Sequence, residues 1–184
     1  MTIRDTLQLV LFLGVLIAST KPLALYMVRV FDGEKTFLSK FFAPIENFFY
    51  RCLGVKPEED QHWTKYATDL LIFSAVSAAF TYLILRYQHR LPLNPAGQLR
   101  VNTHLAFNTE ISFTTNTNWQ SYGGESTLSY LSQLLALTIH NFLSAAVGIS
   151  VAVALIRGIA AREARGIGSF WADLVRAHLY ILLP

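Results

Sequence analysis

"TTNTNWQSYGGE", residues 114–125, decides how this chain is read. It holds three amide side chains, Asn116, Asn118 and Gln120, and four hydroxyl side chains, Thr114, Thr115, Thr117 and Ser121. One aromatic of the kind usually buried, Trp119, interrupts it, and a glycine pair nearly closes it. On either side lie apolar runs, residues 70–85 and 128–156. From spacing alone two readings stand: an ordinary polar loop, or a strand that lines an ion path.

The residues just before the polar run favour the second. Residues 101–114 place Leu105, Phe107, Ile111 and Phe113 among Asn, Thr and His. A helix of about twelve residues there reaches roughly 18 Å, half of a bilayer. The order is then span, half-length helix, polar extended segment, span, which is the layout of a re-entrant pore loop. Irregular backbone at membrane depth is tolerated only where it is buried in protein or lines a watery cavity. A half helix entering from outside points its negative dipole end inward. Backbone carbonyls beyond it can replace a cation's hydration shell without any acidic side chain. Aiming such carbonyls needs unusual dihedrals, which asparagine tolerates better than most residues. Thr115 and Thr117 are expected to bond neighbouring amides, Trp119 to wedge the strand from behind, and Gln120 to cover its outer mouth.

The rest of the chain supplies the spans. Of its 184 residues 53% are hydrophobic and only 15% charged, whereas soluble domains run to about 25% charged. Residues 7–27, 70–85 and 128–156 are each apolar enough for a membrane helix, and residues 174–184 begin a fourth run. The first is also open to reading as a signal peptide with its core at 7–18, although its n-region is weak, Arg4 being offset by Asp5. Ser144, Gly148 and Ala152 recur every fourth residue and predict a smooth packing face. Because the sequence stops inside "LYILLP", the chain is expected to be a truncated piece of something longer.

Seven basic residues lie between the first two spans (Lys21, Arg29, Lys35, Lys40, Arg51, Lys56, Lys65). Three follow the second span (Arg86, Arg90, Arg100) and four the third (Arg157, Arg162, Arg165, Arg176). The first and last groups must share a side, so the positive-inside rule puts them in the cytoplasm and the N-terminus outside. Cys52, the single cysteine, then faces a reducing compartment and excludes a disulfide framework. Phe37, Phe41, Phe42, Ile45, Phe48, Phe49, Cys52 and Leu53 fall at helical spacing, with Pro44 suited to a first turn and Gly54 to a stop. That helix lies along the cytoplasmic interface or packs on protein. The organisation expected is a first transmembrane helix in 1–30, a cytoplasmic interfacial segment in 31–65, one span–pore loop–span repeat in 66–157, and a cytoplasmic loop with the start of a fourth span in 158–184. The fold class is all-α membrane protein.

The net charge of +3 forms no basic stripe, so nucleic acid is not expected as a partner. No nucleophile elbow, Walker-type loop or aspartyl-phosphate motif is present, so the chain is expected not to be an enzyme by itself. His62, His89, His104 and His178 show no metal-ligand spacing and read as interfacial or solvated.

"FNTEISFTTNTNWQSYGGESTLSYLSQLLALTIHNFLSAAVGISVAVALIRG", together with "KPL" at 21–23, "LPLNP" at 91–95 and "GSFWADLVRAHLYILLP" at the end, resembles the potassium-binding A subunit of the bacterial Kdp potassium-transporting ATPase. The resemblance implies four span–pore loop–span repeats around one potassium path, of which this chain holds the first. It implies that Thr115, Asn116, Thr117 and Asn118 form the first filter strand, with potassium held by the carbonyls of Asn116, Thr117 and Asn118 and with Gln120 near the entrance. It also implies a bacterial inner-membrane location, a P-type ATPase subunit that hydrolyses ATP, and small accessory subunits; ATP is not expected on this chain. Two positions depart from the family pattern. Glu110 stands where a small residue is usual, near the outer side, and His140 stands where glutamine is expected.

Overall fold

A computed structural model describes residues 3–161 and 166–184. Arg162 and Arg165, counted above among the basic residues, lie outside the described residues. Among those described, every regular element is helical. Among the described residues three helices are long and apolar enough to cross a membrane: Ile3–Phe31, Trp63–Arg90 and Ser132–Ala160.

The first, α1 (Ile3–Phe31), runs unbroken through Lys21 and Pro22. Only its last two residues, Val30 and Phe31, are buried. α2 (Ser39–Leu53) starts earlier than Pro44 predicted, so the proline sits inside the helix and not in its first turn. The expected stop is present: Gly54 is left-handed (φ 65°), and the Val55 amide closes back on the Tyr50 carbonyl at 2.9 Å. α3 (Trp63–Tyr87) begins with His62 as its cap and ends in a tight turn over Gln88–Arg90. Leu91 to Gly97 then turns as its composition predicts. Asn94 holds the turn by accepting from the Gln98 amide and donating to the Gln98 carbonyl, both at 2.8 Å.

α4 (Thr103–Thr114) has the twelve residues expected of the half-length helix, capped by Asn102. No helix covers residues 115–123, and a single turn, α5 (Gly124–Thr127), follows. The next long helix opens with wide π-helical turns over Ser132–Thr138 and continues as α6 (Ile139–Ala160). Helical backbone begins at Tyr130, two residues later than the apolar run suggested; Leu128, in extended backbone, and Ser129 are both buried. α7 (Phe170–Arg176) continues through Ala177–Leu182.

The packing face of α6 is a second correction. Ser144 is buried as expected, but Gly148 and Ala152 are exposed, and Ser150 and Ala154 face inward instead. Positions 150 and 154 lie about half a turn from 148 and 152.

Two polar hubs hold the bundle at opposite ends of α3. At one end Gln88, fully buried, donates to the carbonyls of Leu99 (2.5 Å) and Thr127 (2.8 Å). Its carbonyl accepts from the Ser129 amide (3.0 Å) and the Ser132 hydroxyl (2.9 Å). At the other end Arg157 pairs with buried Asp173 at 2.7 Å and donates to the carbonyls of Ile167 and Phe31. Tyr66 adds its hydroxyl to Asp173 at 3.1 Å, and Arg176 reaches the same Phe31 carbonyl and pairs with Glu46. Gly168 makes the Arg157 hub possible: its φ is 93°, and any Cβ there would overlap the guanidinium.

Candidate functional site

α4 turns its polar side inward. Thr109, Glu110 and Ser112 are buried with Ala106 and Phe113, while Phe107 and Ile111 are exposed. The helix therefore presents apolar side chains outward from this chain and hydroxyls to the turn that follows it.

That turn is built on the last carbonyls of α4. The amides of Thr117 and Asn118 both donate to the Ser112 carbonyl, at 2.9 and 3.1 Å. The Asn116 amide donates to the Phe113 carbonyl at 3.2 Å and the Thr115 amide to the Ile111 carbonyl at 2.9 Å. The Ser112 hydroxyl reaches across to the Trp119 carbonyl at 2.8 Å. Four successive N–H groups thus point back at the helix end, which satisfies the carbonyls of Ile111, Ser112 and Phe113. Among the described residues, no hydrogen bond ends on the carbonyl oxygen of Asn116, Thr117 or Asn118.

The backbone of this strand changes hand at alternate residues. Asn116 has φ 55° and Asn118 φ 58°, whereas Thr117 between them has the ordinary sign. Asparagine is the non-glycine residue best suited to this, since its side chain can bond locally. Here the Asn118 side-chain Nδ2 donates to the Asn116 side-chain oxygen at 3.4 Å, and the Ser144 hydroxyl of α6 donates to that oxygen at 3.4 Å. The threonines bond differently from expectation. Thr115 donates to the Ile111 carbonyl at 2.8 Å and meets the Thr117 hydroxyl at 2.9 Å, so hydroxyls and carbonyls, not amides, are their partners.

Residues 115–120 all lie on the surface of this chain. Trp119, expected behind the strand, is 56% exposed on this chain, whereas Phe113, 2% exposed, belongs to the core cluster with Leu85 and Leu137. Tyr122 packs on the same cluster.

His140 is buried and bridges three elements. Its Nδ1 lies 2.9 Å from the Thr81 hydroxyl of α3, and its Nε2 lies 3.2 Å from the Thr114 hydroxyl at the end of α4. This is the hydrogen-bonding role that a glutamine would also fill. Glu110 is 4% exposed, and its Oε2 finds no partner among the described residues, so it is not a surface charge. His178 also departs from expectation: it is half-buried, with Nδ1 near the Leu174 carbonyl and Nε2 unpartnered among the described residues. Gln88 was not singled out by any pattern; a lone amide at the end of an apolar helix was the only signal for it.

A family model described as potassium-transporting ATPase A subunit matches residues 10–184. The potassium-transporting ATPase potassium-binding subunit of Rhodospirillum centenum is 56% identical over the whole of this chain. The proteins of the same description from Methylobacterium nodulans and Granulibacter bethesdensis are 57% and 54% identical, again over the whole chain. In each case the chain spans 32% of the relative's length, about a third. By a family match that begins at residue 10 and runs to residue 184, the chain belongs to the potassium-transporting ATPase A subunit family.

Proposed function

We propose that this chain carries the first ion-binding strand of a potassium uptake pump. In this reading α1, the α3 helix and the helix ending at Ala160 cross a bacterial inner membrane, with the N-terminus outside. α4 and residues 115–123 form a re-entrant loop between two spans, entered from the outer side. Residues 66–157 are one repeat of a larger ion path, and 158–184 lead into the next. Potassium is the cargo; ATP is hydrolysed by a P-type ATPase subunit of the same complex, which also holds small accessory subunits.

The observation that carries this reading is the alternating hand of residues 116–118. In an ordinary extended strand successive carbonyls face opposite ways. Reversing the hand of alternate residues turns them to one side, which is how a row of carbonyls replaces a hydration shell. The amides of the strand are already occupied at the α4 terminus, so the carbonyls of Asn116, Thr117 and Asn118 remain for a cation. The end of α4 adds partial negative charge beside them. Gln120 would sit at the entrance. The dipole names a cation, and the family description names potassium.

The test is rubidium uptake by the complete subunit in its pump. Gln120→Arg is expected to lower apparent affinity at least about tenfold, because a fixed cation near the entrance repels the ion. Unchanged affinity would place Gln120 away from the path. One strand forms about a quarter of such a ring, so liposomes holding this chain alone are expected to show no selective rubidium flux.

A further inference from the structure

α2 has three faces, and the bundle occupies one of them. Phe42, Glu46 and Tyr50 form the docked edge. Phe42 meets Tyr180 edge-on at 5.7 Å, and Glu46 accepts from Arg176 (3.2 Å) and from the hydroxyls of Tyr50 (2.6 Å) and Tyr180 (2.7 Å). About a third of a turn away lie Phe41, Ile45, Phe48 and Cys52, all exposed, Phe41 by 68% and Phe48 by 61%. The remaining third carries Lys40, Asn47 and Arg51, also exposed.

This division is informative about the occupant. A helix that serves only as packing is apolar along one stripe. Here the stripe facing the protein is partly polar and satisfied, while the most apolar stripe faces away from it. Glu46, the one acidic residue of α2, is turned to Arg176, so the outward charge of the helix is wholly positive. Beyond its two ends the charges are mixed, with Glu34 beside Lys35 and Glu58 to Asp60 after Lys56, so the cationic face is confined to the helix itself. An apolar stripe beside a cationic one complements acyl chains beneath anionic headgroups.

The level of the helix agrees. Phe37, just before α2, lies 5.6 Å from the ring of Tyr26, and the Tyr26 hydroxyl donates to the Tyr180 carbonyl at 2.8 Å. Tyr26 is five residues from the end of α1, about 8 Å along it. Aromatic residues with one polar end concentrate at that depth, near the headgroup boundary.

We infer that α2 is an anchor on the lipid surface, with Phe41, Ile45, Phe48 and Cys52 seated among acyl chains of the cytoplasmic leaflet and Lys40 and Arg51 against anionic headgroups. The inference uses the spans of the proposed reading but not its ion. It requires the docked edge to stay on α7 while the other two faces meet lipid and water.

The experiment uses the complete subunit in liposomes of phosphatidylethanolamine with about 30% phosphatidylglycerol. A bimane fluorophore is attached at Cys52, with any other cysteine replaced by serine, and in a second protein at Asn47→Cys. Lipid nitroxides near the headgroup end of the chain are expected to quench the Cys52 label at least about twofold more than nitroxides at the methyl end. Aqueous iodide is expected to quench the position 47 label and spare Cys52. Removing phosphatidylglycerol is expected to weaken the lipid quenching at Cys52, and Lys40→Glu with Arg51→Glu is expected to abolish that dependence. A Cys52 label shielded from both nitroxide and iodide would mean that protein covers the face and would overturn the inference. A label open to iodide would overturn it in favour of water. A subunit that fails to take up rubidium would leave these quenching results standing.

Discussion

The two ends of the α3 helix solve one problem with different chemistry. Each must tie segments distant in sequence to a helix terminus. At the Gln88 end the tie is neutral: one buried amide saturates two carbonyls, an amide and a hydroxyl. A separate chain of Thr81, His140 and Thr114 ties α3 and α6 to the end of α4 without an ion pair. At the Arg157 end the tie is ionic, with Arg157–Asp173 and Arg176–Glu46 meeting at the Phe31 carbonyl. The difference follows where the proposed ion-binding strand lies. A fixed charge in a low-dielectric region acts over a long range and competes with a carbonyl site for the ion's field. Amides and hydroxyls position the strand without adding one. Glu110 is the exception, an acid buried on α4 with an unpartnered oxygen. The ionic end lies at the far end of α3, where its pairs cancel locally.

This contrast can be broken in four places. The largest effect is expected from Asp173→Ala, which leaves Arg157 without its buried partner and costs about 3–5 kcal/mol. Thermal melting of the complete subunit in detergent measures it; a loss under about 1 kcal/mol would mean the ionic hub is ornamental. Gln88→Leu keeps the volume and strands four polar groups, costing about 2–3 kcal/mol by the same melt. If it costs more than Asp173→Ala, the neutral hub is the stronger tie and the contrast inverts.

Smaller and more local is Asn118→Ala. It forces alanine into left-handed backbone and is expected to cost about 1–2 kcal/mol, while Asn118→Gly restores stability to within about 0.5 kcal/mol. Equal losses from both would show that the amide side chain, not the backbone, is what position 118 supplies. Smallest is His140→Gln, expected to change melting by under about 1 kcal/mol, because both bridging bonds have a neutral replacement. His140→Leu breaks both and should cost about twice as much; equal melting of the two would remove His140 from the network.

Much of the local structure could be read from residue types. The twelve-residue helix at 103–114, the turn at 94–97, the stop at Gly54 and the left-handed asparagines all follow from backbone preferences that a few neighbouring atoms impose. The three long helices follow from run length. Harder to read was which way each helix faces. Phe107 and Ile111 look like core residues in a one-dimensional pattern, yet Thr109 and Ser112 are the ones buried, Ser112 donating its hydroxyl to the Trp119 carbonyl. Gly148 and Ala152 look like a packing stripe, yet Ser150 and Ala154 meet the neighbours. Trp119 looks like a wedge and lies on the surface.

The sequence by itself thus determined the class of the protein, the order of its helices, the short polar strand and the dihedral freedom that its asparagines need. Those properties depend on run length, charge bias and local sterics, all carried by neighbours in the chain. Tertiary structure decided the two hubs and every facing direction. Gln88 meets Ser129, and Arg157 meets Phe31 and Asp173, across separations that no local pattern encodes. A buried polar group is fixed by whichever partner satisfies it, and that partner is chosen by the packing of whole helices.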